Sequence, residues 1–234
     1  MTVPAPYSEV DAVYRASFGP ALRVVAVTAA GVGQGVSTLA MALARRAAAG
    51  GKKALLVELT TRGSAMAERF DTPRHDWRET PESVRDALRE IGPGLTGLPS
   101  PSLGRPPPLL REKDTLAALR DQWLERFDVV ILDLPPVLAA NPHDIDAITA
   151  GGIADGVILS VMTRVTREAE LIEAVDQLRR AEIEVLGVVA NDRENPTLAD
   201  EMAREIGRLR RVLPWPVRRI QKWLLSRRSL NRRL

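Results

Sequence analysis

The chain lacks cysteine throughout, and it lacks acidic residues at positions 208–234. Without cysteine there is no disulfide framework and no thiolate chemistry. Long apolar runs are also missing, since none approaches the roughly 20 residues that a transmembrane helix needs. The first residues, Met-Thr-Val-Pro-Ala-Pro, do not show the basic and then apolar pattern of a secretory signal. We therefore expect a soluble protein of the reducing cytoplasm.

The charges that are present are distributed unevenly. Residues 208–234 hold ten of the 33 Lys and Arg residues, which leaves 23 basic and 30 acidic residues at positions 1–207. An acidic body of net −7 with a tail of +10 predicts that the tail meets an anionic partner, either a membrane or a nucleic acid. A solvated helix without a partner is the alternative.

Short apolar runs alternate with segments of helical period, which is typical of βαβ units and a mostly parallel sheet. The runs are rich in Val, Ile and Leu without polar alternation, as in strands covered on both faces. The predicted strands are Leu22–Thr28, Ala54–Leu59, Val129–Leu134, Val157–Val161 and Val185–Ala190, with a short one near Leu95–Leu98. The predicted helices are Ser37–Ala49, Pro81–Ile91, Thr115–Glu125, Arg167–Ala181, Thr197–Arg208 and a separate one beginning near Val217.

These elements predict an α/β fold of three layers, α/β/α, around a mostly parallel central sheet. The chain, of 234 residues, has room for one large core and a tail. We expect an N-terminal segment at 1–20, the α/β domain at 21–208 and a basic amphipathic tail at 209–234.

The first predicted strand runs into the glycine-rich string Thr-Ala-Ala-Gly-Val-Gly-Gln-Gly-Val-Ser-Thr at positions 28–38, and then into a helical segment. Strand, glycine-rich turn, Ser-Thr and helix form the context of a phosphate-binding P-loop, in which the hydroxyl before the helix binds magnesium. Glycines let backbone N–H groups form an anion-binding nest, and the helix N-terminus adds a positive dipole. A tight turn without a ligand is the alternative. The predicted cofactor-binding residues of the loop are Gly31, Gly33, Gln34, Gly35, Val36, Ser37 and Thr38.

The lysine that this loop needs is missing. Val36 precedes Ser37 where the pattern G-x-x-x-x-G-K-[ST] has lysine, and Ala30 replaces the first glycine. That lysine contacts the β- and γ-phosphates, and losing one well-placed electrostatic donor costs about 3–4 kcal/mol, or roughly 10²–10³ in rate. We therefore expect ATP or ADP with Mg²⁺ to bind weakly or not at all, and phosphoryl transfer to be inefficient.

Further motifs occur in the order found in the bacterial tyrosine kinases (BY-kinases), which the chain resembles over roughly residues 8–200. The most specific match is Phe-Asp-Val-Val-Ile-Leu-Asp-Leu-Pro-Pro at 127–136, where the family has Y-D-x-V-I-I-D-x-P-P. The loop at 28–38, Ala-Asp-Gly-Val at 154–157 and Leu-Gly-Val-Val-Ala-Asn at 186–191 also match. These kinases belong to capsule and exopolysaccharide export systems and are related to septum-site and partitioning ATPases. The resemblance implies their P-loop NTPase-like fold.

The resemblance also implies roles for single residues. Asp133 is placed like the Walker B aspartate that holds magnesium through water, so Ser37 and Asp133 are the expected metal residues. Glu58 stands at the first aspartate of the family's extra acidic motif, which makes Asp133 and Glu58 the catalytic candidates, whereas Thr60 replaces the second aspartate. Asn191 stands where the family's asparagine binds the adenine edge. The alternatives are a turn-capping aspartate at 133 and a simple turn former at 191.

Other departures from the family predict a pseudokinase. Family members phosphorylate a C-terminal tyrosine cluster, but the two tyrosines here, Tyr7 and Tyr14, lie near the N-terminus. The family's ring-forming motif E-x-x-R-x-x-R is only partly present, with Ala12, Arg15 and Phe18 at its three positions.

The resemblance thus implies a regulatory or scaffold protein that binds the cytoplasmic termini of a polysaccharide co-polymerase membrane protein, with self-association as a further interaction. One alternative is an active ATPase or tyrosine autokinase of the same pathway, in which Arg62 or Arg45 replaces the lysine. Another is a partitioning-type ATPase that binds DNA through its tail.

The tail has its own pattern. As a helix, residues 217–234 would place Trp223 and apolar neighbours on one side and Arg218, Arg219 and Lys222 largely on the other. A basic amphipathic helix with tryptophan favours the surface of an anionic bilayer, so we expect a peripheral location at the inner face of the cell membrane. Nucleic acid is the less favoured partner, because no groove-reading motif accompanies the tail.

Overall fold

The computed structural model describes residues 8–60, 66, 70, 77–100, 108–139 and 145–192. The strands are β1 Val24–Ala29, β2 Ala54–Glu58, β3 Arg89–Gly92, β4 Leu95–Leu98, β5 Val129–Asp133, β6 Gly156–Met162 and β7 Val185–Asn191. The helices are α1 Ser8–Ser17, α2 Val36–Ala49, α3 Pro81–Ala87, α4 Lys113–Arg126, α5 Ala147–Gly151 and α6 Glu168–Arg180, with a 3₁₀ turn at Pro108–Arg111.

The strands form one sheet of seven in the order β3-β4-β2-β5-β1-β6-β7. β1 pairs in parallel with β5 and β6, and β2 pairs in parallel with β4 and β5, whereas β3 is antiparallel to β4. The predicted α/β fold with a mostly parallel sheet is confirmed.

Both faces of the central strands are buried, which explains their continuous apolar sequences. Alternate residues of β1 belong to different cores: Val25 and Val27 pack under α1 and α2, whereas Val24 and Ala26 pack with residues of α3, α4, α5 and α6. The sheet therefore forms the middle layer of three.

The strand order indicates a ligand site at the carboxyl ends of the central strands. From β1 the chain moves to β2 on one side, and from β5 it crosses β1 to reach β6 on the other side. Loops at the carboxyl ends of strands bind ligands where the connections diverge in this way. The glycine-rich loop after β1 and the end of β5 lie at this point.

One predicted helix is wrong in its second half. The expected helix Pro81–Ile91 ends at Ala87, and Arg89–Gly92 forms strand β3 instead. Leu88 is already extended, with φ −64° and ψ 135°, and the following residues pair with β4. A tertiary hydrogen-bonding partner thus overrides the helical pattern. Helices Ser8–Ser17 and Ala147–Gly151 were not predicted from the sequence.

The chain divides into two compact units, Met1–Val161 with Thr166–Ala190, and Met162–Val165 with Asn191–Leu234. The predicted helices Thr197–Arg208 and from Val217 lie outside the described residues. Among the helices of the described part, none is both long enough and apolar enough to span a membrane.

Candidate functional site

A tight loop joins β1 to α2 and keeps the shape of an anion-binding nest. Gly33 and Gly35 have φ of 78° and 88°, a region that favours glycine. Gly35 is the N-cap of α2, and no side chain of the described residues caps this helix end. Its first N–H groups therefore face the site without a side-chain acceptor, as in helix ends that bind phosphate.

Two buried hydroxyl groups anchor this loop to the sheet. Thr28 Oγ1 donates a hydrogen bond to the carbonyl of Pro135 at 2.6 Å, and Ser160 Oγ donates to the carbonyl of Gln34 at 2.6 Å. Gly31 leaves room for the same glutamine, because a Cβ there would lie 3.2 Å from Gln34 Nε2. Neither anchoring role was predicted from the sequence, although each hydroxyl belongs to a polar residue inside an otherwise apolar strand.

Val36 occupies the lysine position, and its side chain is partly in the core. It is half-buried and packs against the apolar cluster beneath α2, which includes Val25 and Met41. Ser37 and Thr38 follow it in the first turn of α2 and are half-buried. Position 36 therefore supplies packing where a family kinase supplies a cation.

Arg45 is poorly placed to replace the missing lysine. It lies further along α2 than Val36 by about 13 Å of helix axis, at 1.5 Å per residue. Its guanidinium carbon lies 6.0 Å from the centre of the Phe70 ring. The other candidate cation, Arg62, lies outside the described residues.

Asp133 ends β5 beside the loop and is 4% exposed. Burial, and then the charge of Glu58, raise the pKa of its carboxyl to about 7, while the Ser37 side chain favours the ionised form and offsets part of this rise. Its Oδ1 atom has no hydrogen-bond partner among the described residues. The carboxyl group is therefore partly protonated near neutral pH, and one of its buried oxygens has no hydrogen-bond partner among the described residues.

Glu58 lies directly opposite Asp133 in the register of β2 and β5 and is 1% exposed. Its two carboxyl oxygens accept hydrogen bonds from the backbone N–H groups of Met66, at 3.4 Å, and Ser100, at 3.3 Å. These bonds tie together the segments that follow β2 and β4. Glu58 thus acts as a buried structural acceptor and as a negative charge next to Asp133.

The donor set fits a magnesium ion better than it fits a nucleotide phosphate. The Ser37 hydroxyl and the Asp133 carboxyl are oxygen ligands of the kind that Mg²⁺ prefers, usually together with several waters. The described residues include no group of three or more His, Cys, Asp or Glu that could hold a metal alone. For a phosphate, the loop offers backbone N–H groups without the lysine, and two buried carboxyl groups lie behind it.

Asn191 ends β7 and belongs to the second unit. Its carbonyl accepts a hydrogen bond from the Thr163 N–H at 3.2 Å, and the Thr163 hydroxyl donates to Asp192 Oδ1 at 2.8 Å. These bonds hold the turn that begins at Thr163 against the end of β7. The assignment of the Asn191 side chain to adenine stays a prediction.

The structure therefore brings most of the predicted site together within the first unit. Ser37, Glu58 and Asp133 meet where β2 and β5 end beside the loop that contains Gly31, Gly33, Gln34 and Gly35.

No family model matches the chain, but individual kinases do. EpsB of Ralstonia nicotianae, which is named as a tyrosine-protein kinase, is 30% identical over 196 residues, covering 81% of this chain and 25% of EpsB. Tyrosine-protein kinase YwqD of Bacillus subtilis is 26% identical over 190 residues, covering 76% of each chain. The BceF tyrosine kinase domain superimposes with a TM-score of 0.64 at 26% identity, covering 78% of this chain and 74% of that chain.

The chain is related to the bacterial tyrosine kinases. It corresponds to a quarter of the length of EpsB and to about three quarters of YwqD. The fold is also that of the kinase domain of Escherichia coli tyrosine kinase ETK, with a TM-score of 0.65 at 19% identity over 77% of this chain and 71% of that chain.

More distant P-loop proteins share the fold of this bacterial tyrosine-kinase relative. Cobyrinic acid a,c-diamide synthase from Mycobacterium smegmatis, solved with ADP and magnesium, has a TM-score of 0.58 at 20% identity, covering 72% of this chain and 73% of that chain. This likeness concerns the fold alone.

Proposed function

We propose that this relative of the bacterial tyrosine kinases acts as a regulatory or scaffold protein and has little or no kinase activity. The observation that carries the proposal is Val36, which places an apolar, half-buried side chain where the phosphate loop needs a cation. Thr60 removes a second group, since it stands where the family has an aspartate.

The process and the partner in this proposal come from the family. We infer a role in capsule or exopolysaccharide synthesis and export, through binding to the cytoplasmic termini of a polysaccharide co-polymerase membrane protein. The support is the similarity to EpsB and YwqD over most of this chain. A peripheral position at the cytoplasmic face of the membrane through residues 217–234, and self-association, are parts of the same proposal.

Complementation tests the scaffold role. In cells that lack this protein, the wild-type chain, Ser37→Ala and Asp133→Asn would each be expressed and polysaccharide output measured. A scaffold predicts that both variants restore output to the wild-type level, because neither change disturbs the outer surface. Loss of output with both variants, at normal protein levels, would contradict the scaffold and support a nucleotide-dependent role.

A slow ATPase or tyrosine autokinase is the second candidate, favoured by one observation. The loop geometry at Gly33 and Gly35 and the Ser37–Asp133 pair are retained, so the magnesium half of the site is intact. Incubation of the purified protein with labelled ATP and magnesium tests this candidate. Label transfer or phosphate release that Ser37→Ala abolishes would support an enzyme; release that is unchanged in that variant would come from a contaminant.

A further inference from the structure

The two edges of the sheet differ in their protection against pairing with another chain. β3, at one edge, has four residues, carries the charges of Arg89 and Glu90, and pairs with β4 in an irregular register. Short length, charge and irregular pairing are features that keep natural edge strands from pairing further. β7, at the other edge, has seven residues without a charge or a proline, and Val188 and Ala190 are exposed. Among the described residues, no strand pairs with the outer side of β7, so this edge is open.

The sequence of β7 suits pairing with a second copy of itself. In an antiparallel pair about a two-fold axis through Val188, Leu186 lies opposite Ala190, and Val188 lies opposite its own copy. Such a pair opposes apolar residues and buries no charge, and it covers the Val188 side chain, which is 50% exposed. Because seven residues a side make a small interface, a stable dimer needs area from a neighbouring element.

Helix α6 is the neighbouring element. Leu178 of this helix and Val185 of β7 pack in the same core cluster. Glu168, Ile172 and Arg179 follow one another at spacings of four and seven residues, which places them on one side of the helix. All three are exposed, and Ile172 is 54% exposed. We call these three residues the α6 stripe; it is acidic at one end, apolar in the middle and basic at the other end.

The other flank of α6 is less accessible than the α6 stripe. Glu170 and Gln177 lie on that flank and are half-buried. The helix therefore has neighbours on the flank of Glu170, whereas the flank with the α6 stripe points to the open side.

The charges of the α6 stripe complement those of a second copy in one orientation. The two-fold axis that makes the β7 strands antiparallel also sets the two α6 helices side by side in opposite directions. Glu168 of each copy then lies opposite Arg179 of the other, with Ile172 of both copies between these pairs. A parallel arrangement would place like charges together, which disfavours it.

We propose that the chain forms a two-fold symmetric dimer in which β7 pairs antiparallel with β7 of a second copy and the two α6 stripes pack against each other. This inference rests on the self-association included in the proposed function and gives it a surface. The scaffold role has its own test by complementation with Ser37→Ala and Asp133→Asn, so failure of the dimer leaves that result unchanged.

Sedimentation equilibrium of the full chain tests the dimer, with charge reversal in the α6 stripe. The wild type should dimerise reversibly in the micromolar range. Glu168→Arg and Arg179→Glu each set like charges opposite one another, so each variant alone should dimerise at least about tenfold more weakly. An equimolar mixture of the two variants should regain the wild-type affinity as a heterodimer, because opposite charges then face each other again. Asp121→Arg, at an exposed acidic residue of α4, is the matched control and should dimerise like the wild type.

A disulfide tests the strand pairing separately. The chain has no cysteine, so Val188→Cys introduces a single thiol. Residues directly opposite in an antiparallel pair have Cβ atoms about 4.5–5.5 Å apart, close to the separation in a disulfide, so oxidised glutathione should convert this variant into a covalent dimer. Leu109→Cys replaces an apolar side chain that is 51% exposed in the 3₁₀ turn and should stay monomeric under the same treatment.

Three results would overturn the proposal. The first is a wild type that stays monomeric; if Val188→Lys then also lowers its stability, the open edge is covered by another part of the same chain. The second is a mixture of Glu168→Arg and Arg179→Glu that dimerises no better than either variant alone. The third is cross-linking of Leu109→Cys as fast as that of Val188→Cys, which would show random collision.

Discussion

The phosphate loop of this chain shows how one residue separates fold from chemistry. Gly33 and Gly35 preserve the backbone conformation of a P-loop. Ser37 keeps the hydroxyl group of a P-loop, next to Asp133 at the end of β5. Val36 changes only the side chain at one position, yet it removes the charge that stabilises a transferring phosphoryl group. Under the proposed function, the loop is retained for structural reasons without its reaction.

Asp133 should make the stability of the protein depend on pH. Its carboxyl pKa is raised from 3.8 to about 7 in the folded chain, so between these pH values the folded form holds a proton that the unfolded form has released. Stability from this group is then complete below about pH 4 and falls as pH rises to about 7, by up to about 1.4 kcal/mol per pH unit. Asp133→Asn should flatten this slope, as measured by urea unfolding at several pH values with a chelator present.

Comparing the wild type with Asp133→Asn isolates the contribution of the Asp133 carboxyl group from those of the other titrating groups. Asp11, for example, has a carboxyl pKa held below its usual value by its hydrogen bond with Arg46, and it therefore loses its contribution as pH falls. It is present in both proteins and cancels. Equal slopes for wild type and Asp133→Asn between pH 4 and 7 would contradict the raised pKa.

Glu58 should be one cause of that raised pKa. Its charge lies opposite Asp133 in the strand register and disfavours ionisation of the second carboxyl group. Glu58→Gln removes this charge at similar size, so the Asp133 titration should move to lower pH when followed through its ¹³C carboxyl signal. Glu58→Asp keeps the charge and serves as the control. An unchanged midpoint in Glu58→Gln would mean that burial alone sets the pKa.

At the scale of elements, Asp155 connects β1, β6 and α4 through hydrogen bonds. Its Oδ2 accepts the N–H groups of Arg23 and Val24 at the start of β1, both at 2.7 Å, and its Oδ1 accepts from Arg120 of α4 at 2.6 Å. Asp155 itself lies immediately before β6. The arrangement of β1, β6 and α4 therefore depends on one partly buried carboxylate.

Asp155→Ala should lower the free energy of unfolding by about 3 kcal/mol, because it leaves two backbone N–H groups and a partly buried arginine without their acceptor. Glu82→Ala is the matched control, since its ion pair with Arg85 is exposed and 3.6 Å long. That change should cost under about 1 kcal/mol. Similar losses in both variants, by chemical denaturation, would show that Asp155 makes no special contribution.

Four of the correctly predicted strands could be recognised from local sequence alone. β1, β2, β5 and β6 are buried on both faces, so their apolar runs identify them without further information. β3 could not be predicted in this way, because Arg89–Gly92 becomes a strand only by pairing with Leu95–Leu98. Helix α1 depends likewise on packing of Val10 in the core beneath α2.

The same distinction applies to the candidate site. The loop and Asp133 follow from motifs within a few residues of each other. The Thr28–Pro135 and Ser160–Gln34 hydrogen bonds join residues 107 and 126 positions apart, and no local pattern reveals them. The acceptor role of Glu58 also appears only when the chain is folded.

At the scale of the whole molecule, the separation of charge is the strongest feature outside the site. Residues 208–234 hold ten basic residues and no acidic residue, and each basic residue can contribute about 1 kcal/mol near an anionic bilayer. The full chain should sediment with vesicles of phosphatidylglycerol, less so at high salt, and not with vesicles of phosphatidylcholine.

Removal of residues 208–234 should abolish this sedimentation and leave the melting temperature of the body unchanged within about 2 °C. The full chain and the chain without residues 208–234 also distinguish membrane binding from nucleic-acid binding by the tail. Tail-dependent binding to duplex DNA that falls steeply with salt, together with no vesicle binding, would assign the tail to DNA.

The central claim is that Val36 has deprived a preserved P-loop of nucleotide binding, and calorimetric titration with Mg·ATP and Mg·ADP tests it most directly. The wild-type chain is compared with Val36→Lys and with Val36→Met, which matches lysine in length but carries no charge. The account predicts no measurable affinity, or a weak one, for the wild type and Val36→Met, and a gain of at least about tenfold for Val36→Lys. Micromolar binding by the wild type, or no gain with lysine, would contradict it.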